Sequence, residues 1–173
     1  MPSGRTHDRI TWICLPLVAL FGSFLTQHLG LTLLMMGGFL FGGLMFGPDL
    51  DVRSLQSKRW GYLGWIWWPY RRYLRHRSWL SHGPLAGTLV RLLYLGLWVA
   101  ISTFLALEVA ATIGYVLTWQ DLGDDLSQNL WTYRGIGFAL AIGIELGAMS
   151  HVIADWLVSS WKRARKHPRK RRK

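Results

Sequence analysis

Eight side chains suited to binding a divalent metal ion stand near the ends of the hydrophobic segments of this 173-residue chain. Histidine offers a neutral ring nitrogen and aspartate an anionic oxygen, a combination that suits zinc, manganese or iron. Because each crossing of a bilayer switches sides, these segment ends all reach one compartment if four segments span a membrane. The predicted metal ligands are His7, Asp8, Asp49, Asp51, His76, His82, His151 and Asp155.

Two pairs of these predicted ligands are close together in the sequence. His151 and Asp155 are four residues apart in the last hydrophobic segment, a spacing that places both on one face of a helix. Asp49 and Asp51 lie in the sequence GPDLD, and two carboxylates repel each other if they are held close unless a cation or a proton lies between them. Taken singly, a histidine and an aspartate spaced like His151 and Asp155 more often only form a hydrogen bond with each other. The GPDLD sequence alone is slightly more often an ordinary polar loop. The convergence of several segments favours metal binding.

The sequence HRSWLSHG separates His76 from His82 by six residues, so a turn must bring the two rings together. Arg77 has a planar guanidinium that can hold a phosphate through two hydrogen bonds. The alternative is an arginine that extends to the membrane interface. His7 and Asp8 precede the first hydrophobic segment, in a polar stretch where such residues are normally only solvated.

Four apolar segments are long enough to cross a bilayer as helices. The predicted spans cover residues 10–27, 29–46, 85–117 and 133–158. The third segment is long enough to form two short passes instead. We therefore predict an all-α, polytopic membrane bundle in a single domain, residues 1–161, followed by a basic disordered tail, residues 162–173.

The distribution of charge predicts the orientation. Lysine and arginine gather at the amino terminus, in the connection 47–84 and in the tail, whereas the predicted loop 119–129 has three aspartates and neither lysine nor arginine. Because basic loops mark the cytoplasmic side, both termini and the predicted ligands should be cytoplasmic. The single cysteine, Cys14, excludes a disulfide or a thiolate cluster within one chain.

Aromatic side chains crowd the connection between the second and third spans. Five tryptophans and three tyrosines lie within residues 60–79, beside several arginines. Amphipathic aromatic rings favour the headgroup level, so residues 60–74 should lie at the membrane interface as an anchor or a lipid platform, with Pro69 breaking or bending the helix. The basic tail should attract anionic lipid headgroups, and it lacks the features of specific nucleic-acid recognition.

The order of THD, GPDLD, HRxxxSHG and HxxxD resembles that in membrane-bound, metal-dependent hydrolases of bacterial inner membranes. The opening PSGRTHDRITW is similar to that of a small, largely cyanobacterial family of metal-binding proteins, which implies a bacterial inner or thylakoid membrane. The resemblance covers residues 6–156. More remotely, the histidines and aspartates are similar to those of the zinc-dependent phospholipase C and nuclease group.

This resemblance implies that the clustered side chains bind one or more metal ions that activate water to hydrolyse a phosphoester, with a lipid at the cytoplasmic face as the first substrate class to consider. Arg77 and Asp51 are the catalytic candidates, and Arg77 would stabilise phosphate charge. Two alternatives remain: a noncatalytic protein in which metal fastens helix ends together, and a transport or assembly factor. Arg91 and Glu145, inside the last two spans, are expected to pair as structural support.

Overall fold

The computed structural model describes residues 4–115 and 118–166, and within them the chain is helical without a β-strand. The α-helices are α1 Gly4–Thr26, α2 Leu29–Leu44, α3 Leu55–Lys58, α4 Trp67–Tyr73, α5 Trp79–His82, α6 Ala86–Thr112 and α7 Trp119–Lys166, with 3-10 helices at Pro48–Asp51 and Gly61–Ile66. Four helical stretches of the described residues are long and apolar enough to cross a membrane: Gly4–Thr26, Leu29–Asp51, Ala86–Thr112 and Thr132–Arg163. The prediction of an all-α protein is confirmed for this part of the chain.

Glycines bring α2 and α7 into backbone contact. Gly38 and Gly42 of α2 lie against the backbone of α7, and Gly143 and Gly147 of α7 lie against the backbone of α2; a Cβ atom at any of the four would overlap the facing helix. Glycines four residues apart are a common way for helices in membranes to pack closely. With α1 packed on α2, these helices enclose a core that includes Val18, Met35, Phe39 and Ala139.

Helix α6 is a single continuous helix that stands apart from this three-helix core. Its buried residues are Gly87, Thr88 and Arg91, all in its first two turns. Further along, Tyr94 and Trp98 pack on an aromatic cluster built from the connection between α2 and α6. The third hydrophobic segment therefore makes one long helix, and most of that helix is exposed on the protein surface.

The central connection is partly a folded core. Trp67 is completely buried and Tyr70 is 2% exposed, whereas Tyr62 and Trp68 are exposed. Trp67 and Tyr70 pack with Phe46, Leu50 and Ile66, so these two rings face the protein core and not lipid. The position of residues 60–74 at the membrane interface stays a prediction. Pro69 does not break α4: it lies in the first turn, where its missing N–H costs no helical hydrogen bond.

Helix α7 begins earlier than predicted. Residues 119–129, predicted to form a loop, are its first turns, because Thr118 and Asp121 cap the helix reciprocally. The Asp121 carboxylate accepts hydrogen bonds from Thr118 N–H (2.8 Å) and Oγ1 (2.7 Å), and Thr118 Oγ1 accepts one from Asp121 N–H (3.2 Å). At its other end α7 runs to Lys166, so the predicted basic tail starts as helix; residues 167–173, with His167, lie outside the described residues.

Candidate metal centre

Five elements bring seven of the eight predicted ligands together at one end of the bundle. The contributions come from α1, the 3-10 helix Pro48–Asp51, the turn before α5, α5 itself and α7. Two groups of three residues each offer one ligand atom per residue, with all three atoms within 4.8 Å of one another. The groups are His7, His151 and Asp155, and Asp49, His76 and His82.

The first group joins α1 to α7. The rings of His7 and His151 stack with their centroids 3.7 Å apart, and His7 Nε2 lies 3.4 Å from Asp155 Oδ1. All three residues are buried. A histidine ring binds a cation through a ring nitrogen in its neutral form, and this group offers two such rings and a carboxylate.

The second group gathers around the connection. His82 Nε2 lies 3.9 Å from Asp49 Oδ1, and the rings of His76 and His82 are 5.0 Å apart, nearly perpendicular. Burial, the largest influence, lowers the pKa of His82, which keeps its ring neutral and able to coordinate a cation.

Asp49 connects the two groups. Its Oδ2 lies 3.4 Å from His151 Nε2 and its Oδ1 lies 3.9 Å from His82 Nε2. One carboxylate therefore faces a histidine of each group. This is how a carboxylate shared between two cations would be placed.

Asp51 lies behind the second group. Its buried carboxylate is hydrogen-bonded to His76 Nδ1 at 2.9 Å and lies 3.6 Å from His82 Nδ1, while Ser81 Oγ is 2.8 Å from the same His82 nitrogen. A carboxylate on the far nitrogen of a ligating histidine fixes the tautomer and the direction of the ring. The position of Asp51 therefore suits orientation of the two rings.

We expect Asp51→Asn to weaken metal binding by about 10- to 100-fold, the usual effect of losing such an orienting carboxylate. The measurement is a metal titration of the purified variant by isothermal calorimetry. Asp124→Asn is the control, because it removes the same charge from an exposed aspartate in the first turns of α7, away from the ligands. If both variants bind metal as tightly as the parent, Asp51 does not orient the ligands.

Residues Pro48–Asp51 of the GPDLD sequence form a 3-10 helix, which Gly47 precedes. Pro48 starts it, and Ser54 Oγ donates a hydrogen bond to the carbonyl of Asp49 at 2.8 Å. Gln56, itself buried, donates from Nε2 to the carbonyl of Gly43 at 2.7 Å and lies so close to Gly47 that a Cβ there would overlap it. These contacts fix the turn, so that Asp49 and Asp51 lie on opposite ring nitrogens of His82, with His151 beside the first and His76 beside the second.

Asp8 belongs to neither group. Its carboxylate accepts two hydrogen bonds from Arg59, with Nη1–Oδ1 at 3.0 Å and Nη2–Oδ2 at 2.5 Å, and Arg59 also donates to the carbonyl of Leu44 at 2.7 Å. The pair ties the first turn of α1 to the connection and so holds His7 in position. Sequence reasoning missed Arg59, whose partner is 51 residues away.

Arg77 stands at the edge of the first group. Its backbone has a φ of 62°, a left-handed conformation that costs a non-glycine residue free energy, and its Nη2 lies 3.8 Å from Asp155 Oδ2. Its side chain is 48% exposed, so the guanidinium retains donors for an anion. Strain of this kind is found at functional sites, where the surrounding structure maintains it.

Two cavities reach the ligands from different sides. A polar cavity of about 580 Å³ is lined by Arg5, His7, Asp49, Gln56 and His151, among others. A basic cavity of about 240 Å³ is lined by Arg77, His82, Asp155, Trp156, Ser159 and Arg163, among others. Sequence reasoning had assigned Arg163 to the tail and did not single out Ser159.

The donor set fits a divalent cation. Within the described residues, six buried ligand-type atoms of the site lack a hydrogen-bond partner: His7 Nδ1, Asp51 Oδ2, His82 Nε2, His151 Nδ1, His151 Nε2 and Asp155 Oδ1. Buried polar atoms are rarely left without a partner, because desolvation alone costs about 1–3 kcal/mol each. Mixed nitrogen and oxygen ligands suit zinc, manganese or iron.

Arg91 and Glu145, expected to pair, make other hydrogen bonds. Arg91 is buried and donates to the carbonyl of Ser81 at 2.8 Å and to Thr88 Oγ1 at 2.9 Å. Glu145 Oε1 accepts from the backbone N–H of Leu85 at 2.9 Å. Arg91 thus fixes the segment that carries His82, and Glu145 ties the start of α6 to α7.

Fold and site together define a helical protein with four helices apolar enough for a membrane and a histidine and aspartate cluster at one end. The chain belongs to the family described as "Uncharacterized metal-binding protein (DUF2227)", whose model matches residues 2–165. One relative, an uncharacterized protein of Aquifex aeolicus (strain VF5), is 32% identical over 128 residues, which cover 72% of this chain and 88% of the relative. No solved structure matches the chain. The family description supports the prediction of metal binding.

Proposed function

We propose that this protein is a metal-dependent hydrolase of phosphoesters at the cytoplasmic face of a bacterial membrane, with two divalent cations in its two groups of ligands. Asp49 carries the proposal, because its two oxygens face His151 of one group and His82 of the other. In two-metal hydrolases the cations are a few ångströms apart and act on the same phosphate. Asp49 would then be a ligand that the two groups have in common.

Cations held there would lower the pKa of a water molecule and neutralise charge on a phosphoryl oxygen. The chain's own residues have distinct tasks around that chemistry. Asp51 orients the rings of His76 and His82, and Asp155 holds Arg77 beside the first group. The Arg77 guanidinium would bind the phosphate through paired, charge-assisted hydrogen bonds.

The two cavities favour a hydrolase over a purely structural metal site. A structural site is closed by protein ligands, whereas a catalytic one keeps a position open to substrate. Here the polar cavity reaches His7, Asp49 and His151, and the basic cavity reaches His82 and Asp155. Both groups are therefore accessible from outside.

The membrane placement is supported by the four apolar helices and by the charge pattern of the sequence. The ligands, both termini and most lysines and arginines belong to one end if the four helices span a bilayer. Basic residues mark the cytoplasmic side. The site would then face the inner leaflet.

Hydrolysis of bis(4-nitrophenyl) phosphate by the detergent-purified protein, supplied in turn with zinc, manganese and iron, tests the activity. We expect metal-dependent release of nitrophenol, and a loss of about 100- to 1,000-fold in kcat for Arg77→Ala, as when one donor to a transition-state anion is removed. The metal content of Arg77→Ala should equal that of the parent protein. Arg75→Ala is the control, since Arg75 is an exposed arginine of the same turn.

If the protein binds metal stoichiometrically but hydrolyses no substrate with zinc, manganese or iron, the proposed hydrolase is contradicted. The noncatalytic metal-binding function then remains. If Arg77→Ala and Arg75→Ala lower the rate of hydrolysis equally, the rate depends on general positive charge and not on a hydrogen-bond donor at position 77.

A further inference from the structure

The basic cavity is the first of three spaces that follow one face of α7. His82 and Val152 line both the basic cavity and a narrow space of about 10 Å³ next to it. Thr88 and Glu145 line both that narrow space and a third, the apolar cleft, of about 290 Å³. Val152 and Glu145 are seven residues apart, two helical turns, so the spaces lie in a row along the helix.

The two ends of this row differ in chemistry. The basic cavity presents Arg77, Ser159 and Arg163 beside the metal ligands. The apolar cleft lies between α6 and α7 and is lined by Leu85, Leu89, Leu92 and Ala141 together with Glu145. One end therefore suits an anion and the other a hydrocarbon chain.

The apolar cleft opens to the side of the bundle. Leu89 is 57% exposed and Leu92 38% exposed, although both belong to a helix apolar enough to lie in a bilayer. The Leu85 N–H bond to Glu145 joins the start of α6 to α7 at one end of the cleft. A lipid could therefore enter laterally, from the hydrocarbon region, without passing through water.

We propose that the apolar cleft binds an acyl chain of an anionic phospholipid whose phosphate lies in the basic cavity, against Arg77 and Arg163. The inference that this phosphate is the group hydrolysed rests on the proposed function, whereas lipid binding rests on the cavities. Charge complementarity selects the occupant. A phospholipid supplies both a hydrocarbon chain for the leucines and a phosphate for the two arginines.

Photo-crosslinking tests the position of the chain. The full-length protein is reconstituted in phosphatidylcholine nanodiscs containing phosphatidylglycerol with a diazirine in its acyl chain, and labelled peptides are mapped by mass spectrometry. We expect labels on the segments that contain Leu89, Leu92 and Ala141, and their loss in Ala141→Trp, which fills the cleft. The control is Ala106→Trp, an exposed alanine at the far end of α6 that lines none of the cavities described above.

A second pair of variants tests the phosphate. Arg163→Ala should lower this labelling about tenfold, as expected for the loss of a charge-assisted hydrogen bond to an anion. Lys162→Ala removes the same charge from the adjacent residue and should have a smaller effect. Diazirine-labelled phosphatidylcholine mixed into nanodiscs without the anionic lipid should label the cleft weakly.

The outcomes separate the two proposals. Cleft labelling that depends on Arg163, without any metal-dependent hydrolysis, supports the lipid site and contradicts the hydrolase. Hydrolysis of the soluble phosphodiester together with equal labelling of Ala141→Trp and Ala106→Trp overturns the lipid site and leaves the hydrolase intact. A change from dimer to monomer in Ala141→Trp, measured by light scattering, would place a second copy in the cleft and also overturn it.

Discussion

The double variant His151→Ala, Asp155→Ala should retain at most one divalent cation per chain, where we expect the parent protein to bind two. It deletes two of the three ligands of the first group and leaves Asp49, His76 and His82 in place. Because loss of even an orienting residue weakens metal binding about 10- to 100-fold, loss of two direct ligands should exceed ~100-fold. Elemental analysis of the detergent-purified protein after gel filtration measures the stoichiometry.

His28→Ala is the matched control for this experiment. His28 precedes α2 at the opposite end of the hairpin and is exposed. Its loss should leave both cations bound. A parent protein without metal, even after zinc, manganese and iron are supplied, would contradict the metal centre altogether, and one cation in the parent that disappears in the double variant would indicate a single shared site.

Gly42→Leu should prevent the bundle from assembling. A Cβ at Gly42 overlaps the backbone of Ile144, which cannot move aside as a flexible side chain can. Overpacking of a core commonly costs 1–3 kcal/mol, and the backbone overlap here should place the cost at about 3 kcal/mol or more. The loss of the contact would also separate α2, which leads to Asp49, from α7, which carries His151.

Thermal unfolding in detergent, followed by circular dichroism, measures this effect. Gly37→Leu is the control, because it adds the same side chain to the same helix at a position where a Cβ meets no atom within 4 Å. We expect Gly37→Leu to unfold near the parent temperature. If Gly42→Leu unfolds at that temperature too, the glycine contact does not stabilise the bundle.

The sequence predicted the parts of the site that depend on local spacing. The four-residue interval between His151 and Asp155 and the helical hydrophobic segments led to an all-α fold with these two residues on one helical face. Two further local features have sequence signatures: the Thr118 and Asp121 cap as Thr-x-x-Asp, and the glycine pairs that join α2 to α7 as Gly-x-x-x-Gly.

Other features depend on contacts between distant residues and could not be predicted in this way. The sequence gives no indication that Asp8 meets Arg59, or that Asp51 lies behind two rings while Asp49 lies between the groups. Nor does hydrophobicity alone distinguish the buried Trp67 from the exposed Trp68 beside it. Each of these outcomes is decided by how the connection folds onto the ends of the long helices.

The stacking of His7 on His151 has a consequence for biosynthesis. One residue lies in the first turn of α1 and the other in the last third of α7, so the first group exists only after the ribosome has made the chain as far as α7. A cation in this group would therefore be acquired after α7 has been made and has packed against α1. A chain released early would carry His7 without its partners and could not assemble this group.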